Sequence, residues 1–208
     1  MIPPMLRALA AVTALTFAAP TVIDAAPRAG ASARPSKVRK YHLDLAAVTA
    51  RPAVAADVAK EATPRVEAQV KKTFATHPQL VATLEGAPDP DAAAPAYRKF
   101  LVKKGIAAAY LVTVEITEAS TELVPMDSKP GAQRLVMRIG VHVLGENVPG
   151  RTMGFSGDGS ATVKVEVGKK VREADRTYAW DQAAEAAVAD AMTTVFAQLA
   201  QPTKKLTK

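Results

Sequence analysis

The sequence predicts an α/β (α+β) fold, a two-layer sandwich in which a mixed sheet of about five strands carries its helices mainly on one face. Three observations predict it. Strands and helices alternate in the first half of the chain, three strands follow one another in the second half, and an amphipathic helix closes the sequence. Alternation favours parallel pairing and consecutive strands favour a meander, so together they indicate a mixed sheet. The expected element order is β-α-β-α-β-β-β-α.

The first strand and the first helix are predicted from their periodicities. Apolar and polar residues alternate within Val38–Val48, which is typical of a strand with one buried face. An apolar residue then recurs at every fourth position from Val54 to Phe74, which is typical of a helix. Because Pro64 interrupts this stripe and Thr63 is a suitable N-cap, we expect the firm helix to begin at Pro64, after a looser or kinked turn.

The middle of the chain predicts a short strand, a helix and a longer strand. Leu80–Leu84 is short and apolar, as expected of a buried strand. Asp91 can cap the following helix, which Gly105 ends. Ile106–Thr117 alternates more clearly than any other segment and predicts a strand.

Two more strands and a helix complete the domain. Arg134–Leu144 and Thr152–Val167 are predicted strands, and Gly145–Gly150 is the predicted turn between them. Asp181–Leu199 predicts the last helix, with Trp180 packed at its start. Three glycines in the later strand favour a bulge or a hairpin tip: Gly154, Gly157 and Gly159.

The N-terminus has the three parts of a secretory signal peptide. One basic residue lies within Met1–Arg7, an apolar run covers Ala8–Ala19, and Pro20 follows. The run is shorter than the roughly 20 residues needed to cross a bilayer, so we expect cleavage near Ala25 or Ala26 and no transmembrane anchor in the mature form. This predicts a periplasmic or secreted protein. With no cysteine in 208 residues, disulfides, thiolate metal sites and a lipid-bearing cysteine are excluded.

Charge and composition predict four segments: a signal peptide at 1–26, a flexible basic leader at 27–37, one domain at 38–201 and a basic tail at 202–208. The formal net charge of +7 comes from the two ends, and the body is nearly neutral. Basic ends can bind anionic lipid or another polyanion, or they can simply keep a neutral body soluble. Nucleic acid is a less suitable partner, because no aromatic residues are interleaved with the basic ones.

Three histidines are the first candidates for chemistry. His42 and His142 fall on outward strand faces, where they could meet Asp44, Glu115 or Arg138 if their strands pair. Solvated strand histidines are the alternative interpretation, and it is favoured because neither has a second histidine nearby. His77 is expected at a helix end, where its charged form would favour the dipole.

The remaining polar motifs predict no catalytic, cofactor-binding or metal-binding residue. Glu115, Glu118 and Glu122 could supply paired carboxylates for glycoside chemistry, but a solvated strand face is the favoured interpretation with one tryptophan in the chain. The segment Gly154–Ser160 has neither the order of a nucleophile elbow nor the lysine of a phosphate-binding loop. Its Asp158 and Gly159 are typical of a turn.

The predicted element order after a signal peptide resembles that of small periplasmic domains, the TolB amino-terminal domain and the outer-membrane activators of penicillin-binding proteins. The resemblance is one of topology, covers Val38–Leu199 and carries over no site residue. It implies an accessory role at the cell envelope, with a sheet edge or a helical face binding another protein. The lipoprotein members carry a cysteine that this chain lacks.

The sequence therefore favours a non-catalytic exported interaction module that binds an envelope protein. Two other functions stay open. One is a protein that associates with a polyanion or a membrane surface through its basic ends. The other is an uncharacterised hydrolase-type enzyme built around His42 and His142.

Overall fold

The computed structural model describes residues 38–126 and 131–201. The expected signal peptide, basic leader and basic tail lie outside the described residues. The described chain forms four strands and three helices, in the order β1 (Lys40–Ala50), α1 (Ala56–Thr76), α2 (Ala94–Lys103), β2 (Ile106–Pro125), β3 (Gln133–Val148), β4 (Thr152–Val167) and α3 (Glu173–Ala200).

The sheet is mixed, with the order β1-β2-β3-β4. β1 and β2 are parallel, and β2, β3 and β4 form an antiparallel meander. α1 and α3 pack side by side on one face, and the main apolar core lies between them and the sheet. The predicted fold class is confirmed: a mixed α+β sandwich with its main helices on one face. The inward residues expected on β3, from Leu135 to Val143, are buried.

The expected strand at Leu80–Leu84 is reduced to a single bridge between Tyr41 and Leu80. The Tyr41 N–H donates to the Gln79 carbonyl and the Val81 N–H donates to the Tyr41 carbonyl. The carbonyl of Val81 is then occupied by the imidazole of His42, at 2.7 Å. The His42 side chain thus takes the Val81 carbonyl, which would otherwise be available to continue the strand pairing, and the segment leaves the sheet. The sheet has four strands and one bridge where about five strands were expected.

α1 begins at Ala56, so the prediction that Thr63 caps a helix starting at Pro64 is wrong. Pro64 lies inside the helix and has no N–H to donate towards the carbonyl four residues earlier, which is unfavourable. That loss is offset by buried apolar contacts, with a contribution from two ion pairs to α3, on both sides of the proline. Glu61 pairs with Arg176 at 2.6 Å before it, and Arg65 pairs with Asp181 at 3.2 Å after it. Tertiary packing therefore overrides the local signal.

The cap of α2 also differs from the expectation. Asp91 does not cap the helix, whose first residues follow Ala93 without a side-chain cap. Asp89 instead accepts hydrogen bonds from the N–H groups of Asp91 and Ala92, which stabilises the turn before the helix. The expected end of the helix is confirmed, since Gly105 follows it with φ +71°.

Three boundaries lie further out than the sequence pattern indicates. β2 continues past Thr117 to Pro125, and β3 continues through the expected turn to Val148. α3 begins at Glu173, so Trp180 lies within the helix and is completely buried. In each case the polar residues of the extension are accommodated by pairing or packing with a neighbouring element.

The glycines of β4 have two different roles. Gly154 is the extra residue at an irregularity opposite β3, because Gly145 pairs with Phe155 and the next residue of β3 pairs with Met153. The expected bulge is therefore present. Gly157 and Gly159 continue the regular ladder and lie beneath α3. A Cβ on Gly157 would stand 2.6 Å from the Ala191 carbonyl oxygen, so the helix backbone occupies the space of a side chain.

Side chains of α3 also reach the outer edge of β4. The amide of Gln198 accepts from the Ser156 N–H at 3.2 Å and donates to the Ser156 carbonyl at 2.6 Å. The Asp190 carboxylate accepts from the Ser160 N–H at 3.1 Å. The helix thereby supplies the hydrogen bonds of a missing strand, and this part of the sheet edge is protected.

The glycine contact makes a first prediction. Gly159→Ala should lower the free energy of unfolding by about 1–3 kcal/mol, because the new methyl group would overlap the backbone of Ala187 and Ala191 and force α3 outward. Urea unfolding followed by circular dichroism measures the change. Gly168→Ala is the matched control, since no heavy atom lies within 4 Å of its added Cβ. Equal stability of the two variants would contradict close packing of α3 on β4.

Candidate functional site

The two histidines considered for a shared site, His42 and His142, lie far apart. His42 is level with Ala109 of β2, whereas His142 pairs with Glu115. These two positions on β2 are six residues apart, which corresponds to about 20 Å along the strand. The hypothesis that both histidines share one site is therefore wrong.

His142 belongs to a polar row on the sheet face opposite α1 and α3. Its Nδ1 lies 2.7 Å from an Asp158 carboxylate oxygen, and Glu115 is its partner on the other side. Glu115 in turn accepts from the Arg51 guanidinium at 3.0 Å. Of the carboxylates singled out in the sequence, Glu115 is thus engaged in an exposed ion pair with Arg51, and Asp158 in an exposed hydrogen bond with His142. Such pairs stabilise by about 0–1 kcal/mol each.

His77 is at the helix end predicted for it, as the C-cap residue of α1. Its ring stacks on Phe196, with 3.7 Å between ring centroids. Burial lowers the pKa of His77, so the neutral imidazole is favoured. The expected benefit of a charged histidine for the helix dipole is reduced accordingly.

A second apolar cluster positions a group of polar side chains around a cavity. α2 packs on the sheet face opposite the main core, at the beginning of β2. Tyr97 and Leu101 of α2 contact Ile106 and Ala109, and all four are buried. The loop from Leu84 to Asp91 passes beside them. Between the loop, α2 and the sheet is a cavity of about 560 Å³, here called the α2 cavity.

The α2 cavity draws its polar groups from five separate segments. Its charged and titratable lining consists of His42 and Asp44 of β1, Asp89 and Asp91 of the loop, Tyr97 of α2, Tyr110 of β2 and Arg151 of the turn after β3. Leucine, proline, alanine and valine side chains supply the apolar walls. Sequence reasoning identified His42 and Asp44 as candidates and interpreted Tyr97 only as a residue of a helix.

The tautomer of His42 follows from its partner. Nδ1 lies 2.7 Å from the Val81 carbonyl oxygen, which can only accept a hydrogen bond. Nδ1 therefore carries the proton, and Nε2 is the acceptor of the neutral ring. Asp44, two residues later on the same face of β1, is exposed and makes no ion pair within the described residues.

Tyr97 is the most deeply buried polar residue of the lining, with 5% of its surface exposed. Its hydroxyl makes no hydrogen bond to any residue in 38–126 or 131–201. Burial raises the pKa of Tyr97, and the nearby Asp44 carboxylate raises it further. The phenol is consequently neutral, available as a donor or an acceptor, and directed at the cavity.

The rim of the cavity is held by an ion pair across two loops. The Arg151 guanidinium donates to the Asp91 carboxylate at 2.8 Å, and this contact raises the pKa of Arg151. Arg151 has φ +50°, an uncommon conformation for a residue with a side chain. Its N–H donates to the Asn147 carbonyl at 2.7 Å, which closes the turn after β3.

The second candidate surface is an open edge of β2. Pairing with β1 ends at Ala50 opposite Ile116, although β2 continues to Pro125. From Glu118 onward, β3 is the only described strand that pairs with β2, and the side of β2 that faces away from β3 has no strand beside it within the described residues.

The register shows which backbone groups this open edge presents. The N–H and carbonyl groups of Ser156 bond to α3 and therefore point away from β3. The same groups of its partner Leu144 then point away from β4, towards β2. Because backbone directions alternate along a strand, every second residue of β3 hydrogen-bonds to β2. These residues include the partners of Ser120 and Glu122. The N–H and carbonyl groups of the intervening residues point away from β3: Ala119, Thr121 and Leu123.

Membrane-spanning helices and metal-binding clusters are both absent from the described residues. In residues 38–126 and 131–201, none of the helices combines the length and the hydropathy needed to span a membrane. In the same ranges, histidine, aspartate and glutamate side chains do not gather in groups of three that could hold a metal ion.

Neither a family model nor a curated protein matches this chain. Solved structures do match it. A protein from Xanthomonas campestris of the DUF330 family is similar at 12% identity and a TM-score of 0.41, over 80% of this chain and 91% of its own. The rare lipoprotein B from Shewanella oneidensis is similar at 12% identity and a TM-score of 0.41, over 77% and 99%. A minor lipoprotein from Acinetobacter baumannii is similar at 13% identity and a TM-score of 0.38, over 78% and 94%. The resemblance to the TolB amino-terminal domain stays a prediction.

The loop at the cavity makes a prediction about pH. Hydrogen bonds from the N–H groups of Ala92 and Asp91 lower the pKa of Asp89 from its ordinary value of 3.8. A lowered pKa in the folded state means that the ionised carboxylate stabilises the fold above pH 3.8. That contribution is lost as the pH falls through the lowered value.

Asp89→Asn should therefore be less stable than the unchanged protein at neutral pH, and the difference should disappear in acid. Urea midpoints measured from about pH 7 to about pH 2 test this. Glu85→Gln is the control, because Glu85 lies in the same loop and makes no hydrogen bond within the described residues. A difference for Asp89→Asn that stayed constant with pH would refute the role of its charge.

Proposed function

We propose that this protein is an exported, non-catalytic accessory module of the cell envelope that binds another protein. The open edge of β2 is the surface that carries the proposal. An extended segment of the partner pairs with β2 beside Glu118–Pro125. It takes the place next to β2 that β1 leaves empty beyond Ala50 in the described residues. Export is inferred from the signal-peptide pattern of residues 1–26.

The backbone of the open edge supports strand addition. Ala119, Thr121 and Leu123 direct three N–H and three carbonyl groups away from β3, at the spacing of a strand ladder. An added strand hydrogen-bonds to such groups whatever its sequence, and side-chain pockets provide the selectivity. The nearby end of β1 would be the neighbour of the added strand along the same edge.

A groove beside the open edge gives the added strand a preferred composition. The groove measures about 290 Å³ and lies between the far half of the β2–β3 hairpin and the segment leading into α3. Leu123, Leu135 and Val171 contribute its apolar surface, and 47% of Leu123 is exposed. A partner segment with apolar residues at alternate positions would place one of them in this groove.

The two other edges of the sheet are better protected. The β4 edge is bonded to Gln198 and Asp190 of α3, and the β1 edge is bonded to the segment around Leu80. Protection of this kind prevents unselective pairing between sheets. Its absence beside Thr121 in the described residues marks the place where pairing with a partner is favoured.

Thr121→Pro tests the proposal. Proline at this position removes an N–H that points to the open edge and leaves the ladder between β2 and β3 intact. We expect loss of partner binding by about tenfold or more, since one buried backbone acceptor of the partner would be left without a donor. A photoreactive amino acid in place of Leu123 is used to crosslink the partner in envelope extract. The affinity of each variant for the captured protein is then measured.

Thr162→Pro is the matched control. Thr162 lies on β4 with its N–H directed outward, so the same substitution carries the same backbone constraint on the opposite edge. The proposal requires one captured protein, bound by the unchanged protein and by Thr162→Pro and weakened in Thr121→Pro. Removal of residues 27–37 and 202–208 should leave the affinity for the captured protein unchanged. Binding that depends on those basic ends and vanishes with salt would instead assign function to them, and capture of a second copy of this chain would refute a separate partner.

A further inference from the structure

We propose that the α2 cavity binds a primary ammonium group carried on an alkyl chain, the chemistry shared by an aliphatic amine and a lysine side chain. This inference is independent of the open edge of β2. It rests on the cavity, on the charge of its lining and on Tyr97, whose ring is buried and whose hydroxyl has no protein partner within the described residues.

The charge of the lining selects a cation. Asp44, Asp89 and Asp91 contribute three carboxylates, and Arg151 is the single strong base. Asp89 is bonded to backbone N–H groups and Asp91 to Arg151, so these two carboxylates are already partnered. Asp44 has no such partner within the described residues and is the carboxylate free to pair with a ligand.

The polar groups next to Asp44 match the donors of an ammonium ion. An ammonium group has three N–H donors and no acceptor. The Asp44 carboxylate, the Tyr97 hydroxyl oxygen and the Nε2 atom of His42, whose Nδ1 is bonded to the Val81 carbonyl, are three acceptors on residues that line the same cavity. A carboxylate ligand would instead face Asp44 directly, which is unfavourable.

Tyr97 places a hydroxyl without a protein partner on the lining of the cavity. The residue as a whole is only 5% exposed, but its hydroxyl oxygen is not among the buried polar atoms without a partner, so solvent reaches it. No described residue bonds to it, and it is therefore available to a ligand as a donor or an acceptor. The hydroxyl is held in place by the packing of its ring against Ala109 and Ile106, so it is preorganised for a ligand.

The walls of the cavity accommodate the alkyl part of the ligand. Leu84, Leu111 and Val148 line it from the loop, β2 and the end of β3. The volume of about 560 Å³ falls within the roughly 300–1,000 Å³ typical of small-molecule sites. A chain of four or five methylene groups bears little charge and gains from burial on such surfaces.

The experiment compares ligands that share a five-carbon skeleton. The purified protein, labelled with ¹⁵N, is titrated with cadaverine, 1,5-pentanediol and glutarate, and the amide shifts are followed. We expect cadaverine to shift the amides of Asp44, Tyr97 and Leu111, and to bind at least about tenfold more tightly than the diol or the diacid. A blocked tripeptide with a central lysine forms a further arm. Tighter binding of cadaverine would identify a free amine as the ligand, and tighter binding of the tripeptide a protein side chain.

Variants locate the binding. Tyr97→Phe keeps the ring and removes one hydrogen bond, so cadaverine affinity should fall about fivefold, and Asp44→Asn should lower it about tenfold. Tyr178→Phe and Asp158→Asn are matched controls at exposed positions outside the cavity lining and should leave affinity unchanged. The proposal is overturned if glutarate binds as tightly as cadaverine, if cadaverine shifts no amide of the lining, or if neither Tyr97→Phe nor Asp44→Asn weakens binding.

Discussion

The close approach of α3 to β4 is the contact on which the rest of the fold depends. Two glycines of β4 lie under the helix backbone, and α3 presents alanines to them. Because the helix sits so near the strand, short side chains such as Asp190 reach the strand edge. The same helix contacts α1 through the ion pairs of Arg176 and Asp181, which lie on either side of Pro64 and contribute to keeping α1 helical there. Loosening the glycine contact would therefore affect both helices and one edge of the sheet.

The edges of the sheet are covered to different extents because the strands differ in length. β1 has 11 residues and β2 has 20, so β1 cannot cover the far half of its neighbour. α3 closes the β4 edge instead of this one. The open edge thus follows from the lengths of two strands and the position of one helix, and it requires no special motif in β2. This is why the sequence indicated a sheet edge as a binding surface and did not indicate which edge.

Sequence patterns predicted the parts of this fold in which local and tertiary preferences agree. β3 is an example, because the alternation from Leu135 to Val143 matches one buried face. Pro64 and Leu80–Leu84 were misjudged because distant contacts decide them: ion pairs to α3 in one case, the His42 imidazole in the other. The α2 cavity was not predictable, since its lining joins five segments that periodicity does not connect. Tyr97 lies on the apolar side of α2, so pattern alone cannot distinguish it from a core residue.

The position of α2 explains why an enclosed site forms on a face that is otherwise exposed. Most of that face carries polar rows such as Glu115 and His142, which water solvates without a covering layer. At its other end α2 and the loop before it cover the sheet, and apolar residues there form a separate cluster. The left-handed conformation of Arg151 costs about 1–3 kcal/mol, and its pairing with Asp91 contributes to offsetting that cost in the absence of any ligand. The rim is therefore preformed, and a ligand would bind without having to order it.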